Sequence, residues 1–85
     1  MSPLTDTELA EIAARCQRAT AGPWKSYDEA RERMVGSNFI MTGGDDIYLS
    51  GATLDDQDFI AGARQDIPLL IKEIERLKAL LVAKS

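Results

Sequence analysis

The side chains able to do chemistry in this chain are few: one cysteine, no histidine, several clustered aspartates, and a small set of aromatic and basic residues. Without histidine the commonest general base and the commonest transition-metal ligand are missing. An enzyme would have to work with Cys16, hydroxyls, lysine or carboxylates, and none of these stands in a recognisable nucleophile and base arrangement. Cys16 follows Leu9, Ile12 and Ala13 at helical spacing, where cysteine is a small buried hydrophobe rather than a nucleophile. Asp45 and Asp46, or Asp55, Asp56 and Asp58, offer carboxylates, but they lack the odd-position ladder and terminal glutamate of a calcium loop. Gly43-Gly44 lacks the spacing and the Gly-Lys-Ser/Thr ending of a phosphate loop. The expectation is a protein that is not an enzyme, with no metal and no cofactor.

Binding has better support than catalysis. Trp24 follows Gly22-Pro23, Tyr48 lies in an apolar run, and Lys25, Arg31, Arg33 and Arg64 are cations near those aromatics or near a helix interruption. An aromatic face beside a guanidinium or ammonium suits a small anionic ligand that carries a base, through stacking and charge-assisted hydrogen bonds. Trp24, Lys25, Arg31, Arg33, Tyr48 and Arg64 are therefore the candidate ligand set. The competing reading makes Trp24 a cover over packed helices and Arg31 and Arg33 solvated loop charges.

These residues need elements to hold them. Thr5 and Glu8 have the spacing of a capping box and Leu4 and Leu9 that of a hydrophobic staple, so a first helix begins at Asp6. Leu9, Ile12, Ala13 and Cys16 form its apolar stripe, leaving Glu8, Glu11, Arg15 and Arg18 to solvent. The helix ends near Ala19, where Gly22 suits a left-handed terminal conformation and Pro23 cannot continue the ladder. Phe39 to Thr42 and Ile47 to Leu49 flank Gly43-Gly44-Asp45-Asp46 and predict a hairpin over 38–50, with 24–27 as a possible third strand. Alternation sets Phe39 and Met41 against Ile40 and Thr42, which suggests a sheet covered on both faces. The stretch from Asp28 to Met34 suits a solvated loop or one or two helical turns and is read as a loop.

The last third is helical. Thr53 is the N-cap, with Asp55, Asp56 and Asp58 at the positive end of the helix dipole. Asp66 before Ile67-Pro68 predicts a break or kink between Ala63 and Pro68, hence two helical pieces. Beyond it, Ile67, Leu70, Ile74, Leu77 and Leu81 step by 3, 4, 3 and 4, the spacing of a coiled-coil seam, with Leu69, Ile71, Leu80 and Val82 broadening the apolar area. Burying so broad a surface within one short chain is difficult, so those five seam residues are the expected oligomer interface, flanked by Lys72, Glu73, Glu75, Arg76 and Lys78. Packing on the chain's own sheet and first helix is the alternative.

Length and composition agree with this scale of structure. Eighty-five residues, 45% apolar and 28% charged, make a single domain over 1–85 rather than a disordered or fibrous chain. Ten Lys and Arg against 14 Asp and Glu give a net charge of -4, which disfavours nucleic acid as a partner. One cysteine forms no internal disulfide, no apolar run reaches the roughly 18 residues of a membrane span, and the N-terminal residues lack the order of a signal peptide. The expected setting is cytoplasmic, with no membrane partner. The fold class is α+β: an N-terminal helix, a small antiparallel sheet, and a kinked C-terminal helix that self-associates.

Two motifs add a family setting. Ala19-Thr20-Ala21-Gly22-Pro23-Trp24 closes the first helix, and Asp56-Gln57-Asp58-Phe59-Ile60-Ala61-Gly62-Ala63-Arg64 runs into Pro68-Leu69-Leu70 and Glu73. In these the chain resembles the Ead-like family of small phage and prophage accessory proteins, whose members tend to show an A-T-P-G-P-W-like motif and a D-A-x-F-I-A-x-A block before a proline and a leucine-rich helix. Ala21 stands where the first proline is usual and Gln57 where the alanine is usual. The resemblance covers about residues 4–24 and 55–80; it implies a phage or prophage origin, the host cytoplasm and no catalytic residue. Two functions follow from it and from the residues together. One is an oligomeric binding module that sequesters a small signalling nucleotide in an intersubunit pocket to counter host defence. The other is a protein-interaction module that inhibits or redirects a host regulatory protein through its acidic surface and hairpin edge.

Overall fold

The structure is a computed structural model and describes residues 3–28 and 38–84. It is α+β: helix α1 (Asp6–Arg18), strands β1 (Lys25–Tyr27) and β2 (Phe39–Met41), and helix α2 (Leu54–Lys84). Contacts divide the chain into two compact units, one of Met1–Ala19 with Asp66–Ser85, the other of Thr20–Gln65. The loop expected over Asp28 to Met34 lies, except for Asp28, outside the described residues.

In the first unit, α1 starts where its cap dictates. The Glu8 N–H donates to Thr5 Oγ1 at 3.0 Å and the Thr5 N–H donates to Glu8 Oε1 at 2.9 Å, so both partners of the capping box are in place. Leu9 is buried, and Ile12, Ala13 and Cys16 are half-buried along the same stripe. The helix ends at an extended Ala19 (φ -68°, ψ 155°), whose N–H still reaches the Arg15 carbonyl. The expected left-handed Gly22 does not occur: among the described glycines only Gly51 has a positive φ, 78°. The extended Ala19 already turns the chain off the helix axis, so no left-handed residue is required. Facing α1, the later part of α2 buries Ile71, which lines a groove of about 220 Å³ with Pro68, Lys72, Glu75 and, from α1, Ala13, Cys16 and Gln17. Lys78 Nζ donates to Asp6 Oδ1 across the same pair of helices.

The expected break near Pro68 is absent, and α2 is one helix of 31 residues with Pro68 inside it. Proline deletes one hydrogen-bond rung and crowds the preceding turn, at a cost of about 3 kcal/mol. Fourteen residues of helix precede it, Leu54 to Ile67, and buried Ile71 follows it, so the helix is anchored on both sides of the missing rung.

In the second unit, β1 and β2 pair antiparallel with Lys25 opposite Met41, Ser26 opposite Ile40 and Tyr27 opposite Phe39. Ile40 is 0% exposed and forms the centre of this core. The hairpin turn is present, but its second arm contributes one bridge, Ile47 to Ile40, with N···O distances of 2.8 and 2.9 Å, rather than a strand over 47–49. From Ile47 the chain has only five residues before Thr53, which caps α2, and Gly51 turns within them, so Tyr48 and Leu49 leave the ladder. The turn itself is tied at both ends. Thr42 Oγ1 donates to the Asp45 carbonyl and accepts from the Gly44 N–H, and the Gly43 N–H donates to the Ala21 carbonyl at 2.8 Å. A Cβ on Gly43 would lie 2.7 Å from that Ala21 oxygen, which is why glycine stands there.

The first three turns of α2 are fastened to the sheet by two glutamines eight residues apart, with buried Ala61 between them. Gln57 is 4% exposed, and its Nε2 donates to Ser26 Oγ at 2.7 Å and to the carbonyls of Tyr27 and Phe39 at 2.9 and 3.2 Å. Gln65 Oε1 accepts the Trp24 N–H at 2.7 Å while its Nε2 donates to the Trp24 carbonyl at 3.1 Å and the Ala61 carbonyl at 3.2 Å. Both side-chain amides thus satisfy backbone groups of short strands that have few ladder partners of their own.

Candidate functional site

Ser26, Ile40 and Thr42 share the covered face of the sheet, so alternation places Lys25, Tyr27, Phe39 and Met41 on the other. Among the described residues the two faces differ in cover, where both were expected to be covered: Ile40 and Thr42 are buried, Tyr27 and Phe39 half-buried and Met41 exposed. On the outer face the side chains form a column. Lys25 Nζ lies 4.6 Å from the centre of the Tyr27 ring, and Tyr27 stacks on Phe39 at 5.2 Å with 12° between the planes. Phe39 in turn meets Tyr48 at 5.7 Å and 38°. These separations are those of favourable aromatic and cation–π contacts. The column is capped at one end by an ammonium and at the other by Tyr48, which is 65% exposed. Chemically it offers a planar π-surface and a cation, with no nucleophile and base pair.

The residues singled out from sequence divide three ways. Lys25 and Tyr48 are brought to this face. Trp24 and Arg64 are tied elsewhere: Trp24 Nε1 and Arg64 Nε each donate to the Thr20 carbonyl at 3.0 Å, and the Trp24 main chain is held by Gln65. They fasten the chain after α1 to α2. Arg31 and Arg33 lie outside the described residues. Tyr27 and Phe39 were not singled out as site residues, because their meeting depends on the pairing of β1 with β2; alternation within each run, with 24–27 paired to 39–42, is the signal that would have joined them.

A second feature of this unit is an open groove of about 400 Å³ lined by Leu49, Ser50, Gly51, Ala52, Asp56, Phe59 and Ile60. Phe59 is 77% exposed along it. Asp56 is committed to the helix start: its Oδ2 accepts the Thr53 N–H and its own N–H donates to Thr53 Oγ1, both at 3.1 Å. Asp55 and Asp56 both lie in the first turn of α2, at the positive end of the helix dipole. Among the described residues no group of three or more His, Cys, Asp or Glu is placed to hold a metal ion.

In the other unit, the five residues of the expected seam are left uncovered to different degrees. Ile67, Leu70, Leu77 and Leu81 are exposed, Leu70 by 61% and Leu81 by 70%, and Ile74 is half-buried. Glu73 and Arg76 flank the seam as a paired carboxylate and guanidinium at 2.5 and 3.1 Å, and the guanidinium holds the Glu73 carboxyl below the usual glutamate value. Among the described residues no helix is long and apolar enough to cross a membrane. Comparison with family models, with curated proteins and with solved structures yields no match to this chain.

Proposed function

We propose that this chain is a non-enzymatic binding module that assembles with copies of itself through α2 and captures a small anionic, base-bearing ligand of the signalling-nucleotide class. The observation that carries the reading is the column of Lys25, Tyr27, Phe39 and Tyr48, with the Tyr48 ring largely open to solvent. A nucleobase gains by stacking on such a ring, while phosphate needs a nearby cation, and Lys25 supplies one. Arg31 and Arg33 stay in the proposal on sequence alone, four and six residues after Tyr27. The setting, a phage or prophage accessory product that blunts host defence signalling in the host cytoplasm, rests on the two motifs at residues 19–24 and 56–64.

Native mass spectrometry of protein purified gently from a host with active defence signalling tests this directly. The expected result is an assembly carrying a few hundred daltons, on the order of one nucleotide per site, that dissociates on heating. Tyr48→Ala and Lys25→Ala should lose the added mass at unchanged subunit number, because both side chains are exposed and neither belongs to the core. A bare assembly from an actively signalling host overturns the ligand reading.

A second reading is favoured by one observation, the exposed Phe59 beside the groove of Leu49, Ala52 and Ile60. Under it the chain is a protein-interaction module that inhibits or redirects a host regulatory protein. It requires a single host protein recovered in stoichiometric amount and lost in Phe59→Ser.

A further inference from the structure

The exposed stripe of α2 contains information about its own partner. Assigning Ile67 and Ile74 to position a of a heptad puts Leu70 and Leu77 at d and Leu81 at the next a. Isoleucine at a with leucine at d is the combination that favours two parallel strands, since the β-branched side chain packs well only in the geometry a parallel pair has at that layer. In the same frame Asp66, Glu73 and Leu80 occupy g, and Ile71 and Lys78 occupy e.

We propose that the seam is covered by a second copy of the same helix, parallel and in register, with Glu73 of each copy facing Lys78 of the other. This rests on the assembly part of the function proposed above and gives it an orientation and a subunit number. Charge decides the direction. In a parallel pair each g residue meets the e residue five positions later on the second helix, which joins Glu73 to Lys78 twice by symmetry. In an antiparallel pair g meets g and e meets e. The register that layers Ile74 on Leu77 then sets Glu73 opposite Leu80 and Lys78 opposite Ile71, and a shift of one heptad either way opposes two Glu73 or two Lys78. No antiparallel register joins the opposite charges.

The described contacts leave both groups able to take part. Glu73 and Lys78 have about half of their side-chain surface exposed, 51% and 48%. The Lys78 ammonium has three hydrogens and uses one on Asp6. The Glu73 to Arg76 pair lies on the surface three residues apart, a class of contact that adds little and gives way at low cost. The seam residues point to a different side of the helix from α1: on a 3.6-residue helix their mean direction is roughly 130° from that of the groove residues Pro68, Ile71, Lys72 and Glu75, and Leu70 and Leu81 stay exposed.

The test uses the full chain with Cys16→Ala, so that an introduced cysteine is the only one. Sedimentation equilibrium should give a dimer. Leu70→Cys in that background should form a covalent dimer on mild oxidation, because a parallel in-register seam sets residue 70 beside itself. Glu73→Lys alone and Lys78→Glu alone should each weaken the dimer by roughly tenfold, and the double exchange should restore it to within about threefold, with helicity by circular dichroism unchanged throughout. Cross-linking only when Leu70→Cys is mixed with Leu81→Cys, or a trimer or tetramer, overturns the parallel dimer but leaves self-association standing. A monomer at all concentrations overturns both.

Discussion

Gln57→Leu is the perturbation that most directly tests how this small sheet is held. The exchange nearly preserves volume and removes the polar end of a side chain that is 4% exposed. Three acceptors lie within 2.7 to 3.2 Å of Nε2, but an amide nitrogen has two hydrogens, so about two bonds are lost rather than three. The Tyr27 and Phe39 carbonyls belong to opposed residues in the strand register and each has a second lone pair, so neither becomes fully orphaned. At about 0.5–1.5 kcal/mol per bond, the expected loss is about 1–3 kcal/mol. For a chain of 85 residues whose whole stability is on the order of 4–13 kcal/mol, that is a large share. Urea unfolding followed by the fluorescence of Trp24, the single tryptophan, reads the same unit, since Gln65 ties the Trp24 main chain to α2. Gln57→Glu should cost more than Gln57→Leu, because its carboxylate would face two carbonyl oxygens with no hydrogen to offer. A loss below about 0.5 kcal/mol for Gln57→Leu, or a less harmful Gln57→Glu, would refute the role given to this side chain.

Three further outcomes are expected. Gly43→Ala should destabilise the second unit by roughly 1–3 kcal/mol in urea unfolding, because its Cβ would sit 2.7 Å from the backbone oxygen of Ala21, which no rotamer change can relieve. The Thr5 N–H and hydroxyl hold the Glu8 carboxyl below its ordinary value of 4.5, so its capping contribution is full above that value and is lost as pH falls through the lower folded one; an acid titration of helicity should show the early loss reduced in Glu8→Gln. Leu77→Glu, at a side chain 46% exposed, should leave helicity and the unfolding midpoint nearly unchanged while abolishing self-association by sedimentation; unfolding instead would show that the chain buries this seam within itself.

Local signals were sufficient wherever one residue type acts on its own neighbours. Thr5 with Glu8, and Thr53 at the start of α2, are legible because a cap is a contact across three residues, and both helices start as the sequence predicts. The Gly43-Gly44 turn is legible for the same reason. The seam spacing from Ile67 to Leu81 is likewise a property of one helix, independent of what lies around it. The continuity of α2 through Pro68 was not legible, because proline's local penalty is outweighed by helix on both sides and by the burial of Ile71.

What only the tertiary structure decided are the meetings between segments distant in sequence. Whether Tyr27 stacks on Phe39 depends on strand register, and a slip of one residue would send every side chain to the other face. Trp24 and Arg64 read from sequence as members of a ligand set because aromatic and cation chemistry is the same in a site and in a scaffold; that they share an acceptor, the Thr20 carbonyl, is visible only in the folded chain. Gln57 carries no local pattern at all, and its importance appears only when a buried amide 18 to 31 residues from its acceptors must satisfy them. Local periodicity thus determined the helices, the turn and the apolar seam, since each is set by energies within a few residues. The aromatic face required long-range pairing, because a site built across strands exists only once the chain has closed on itself.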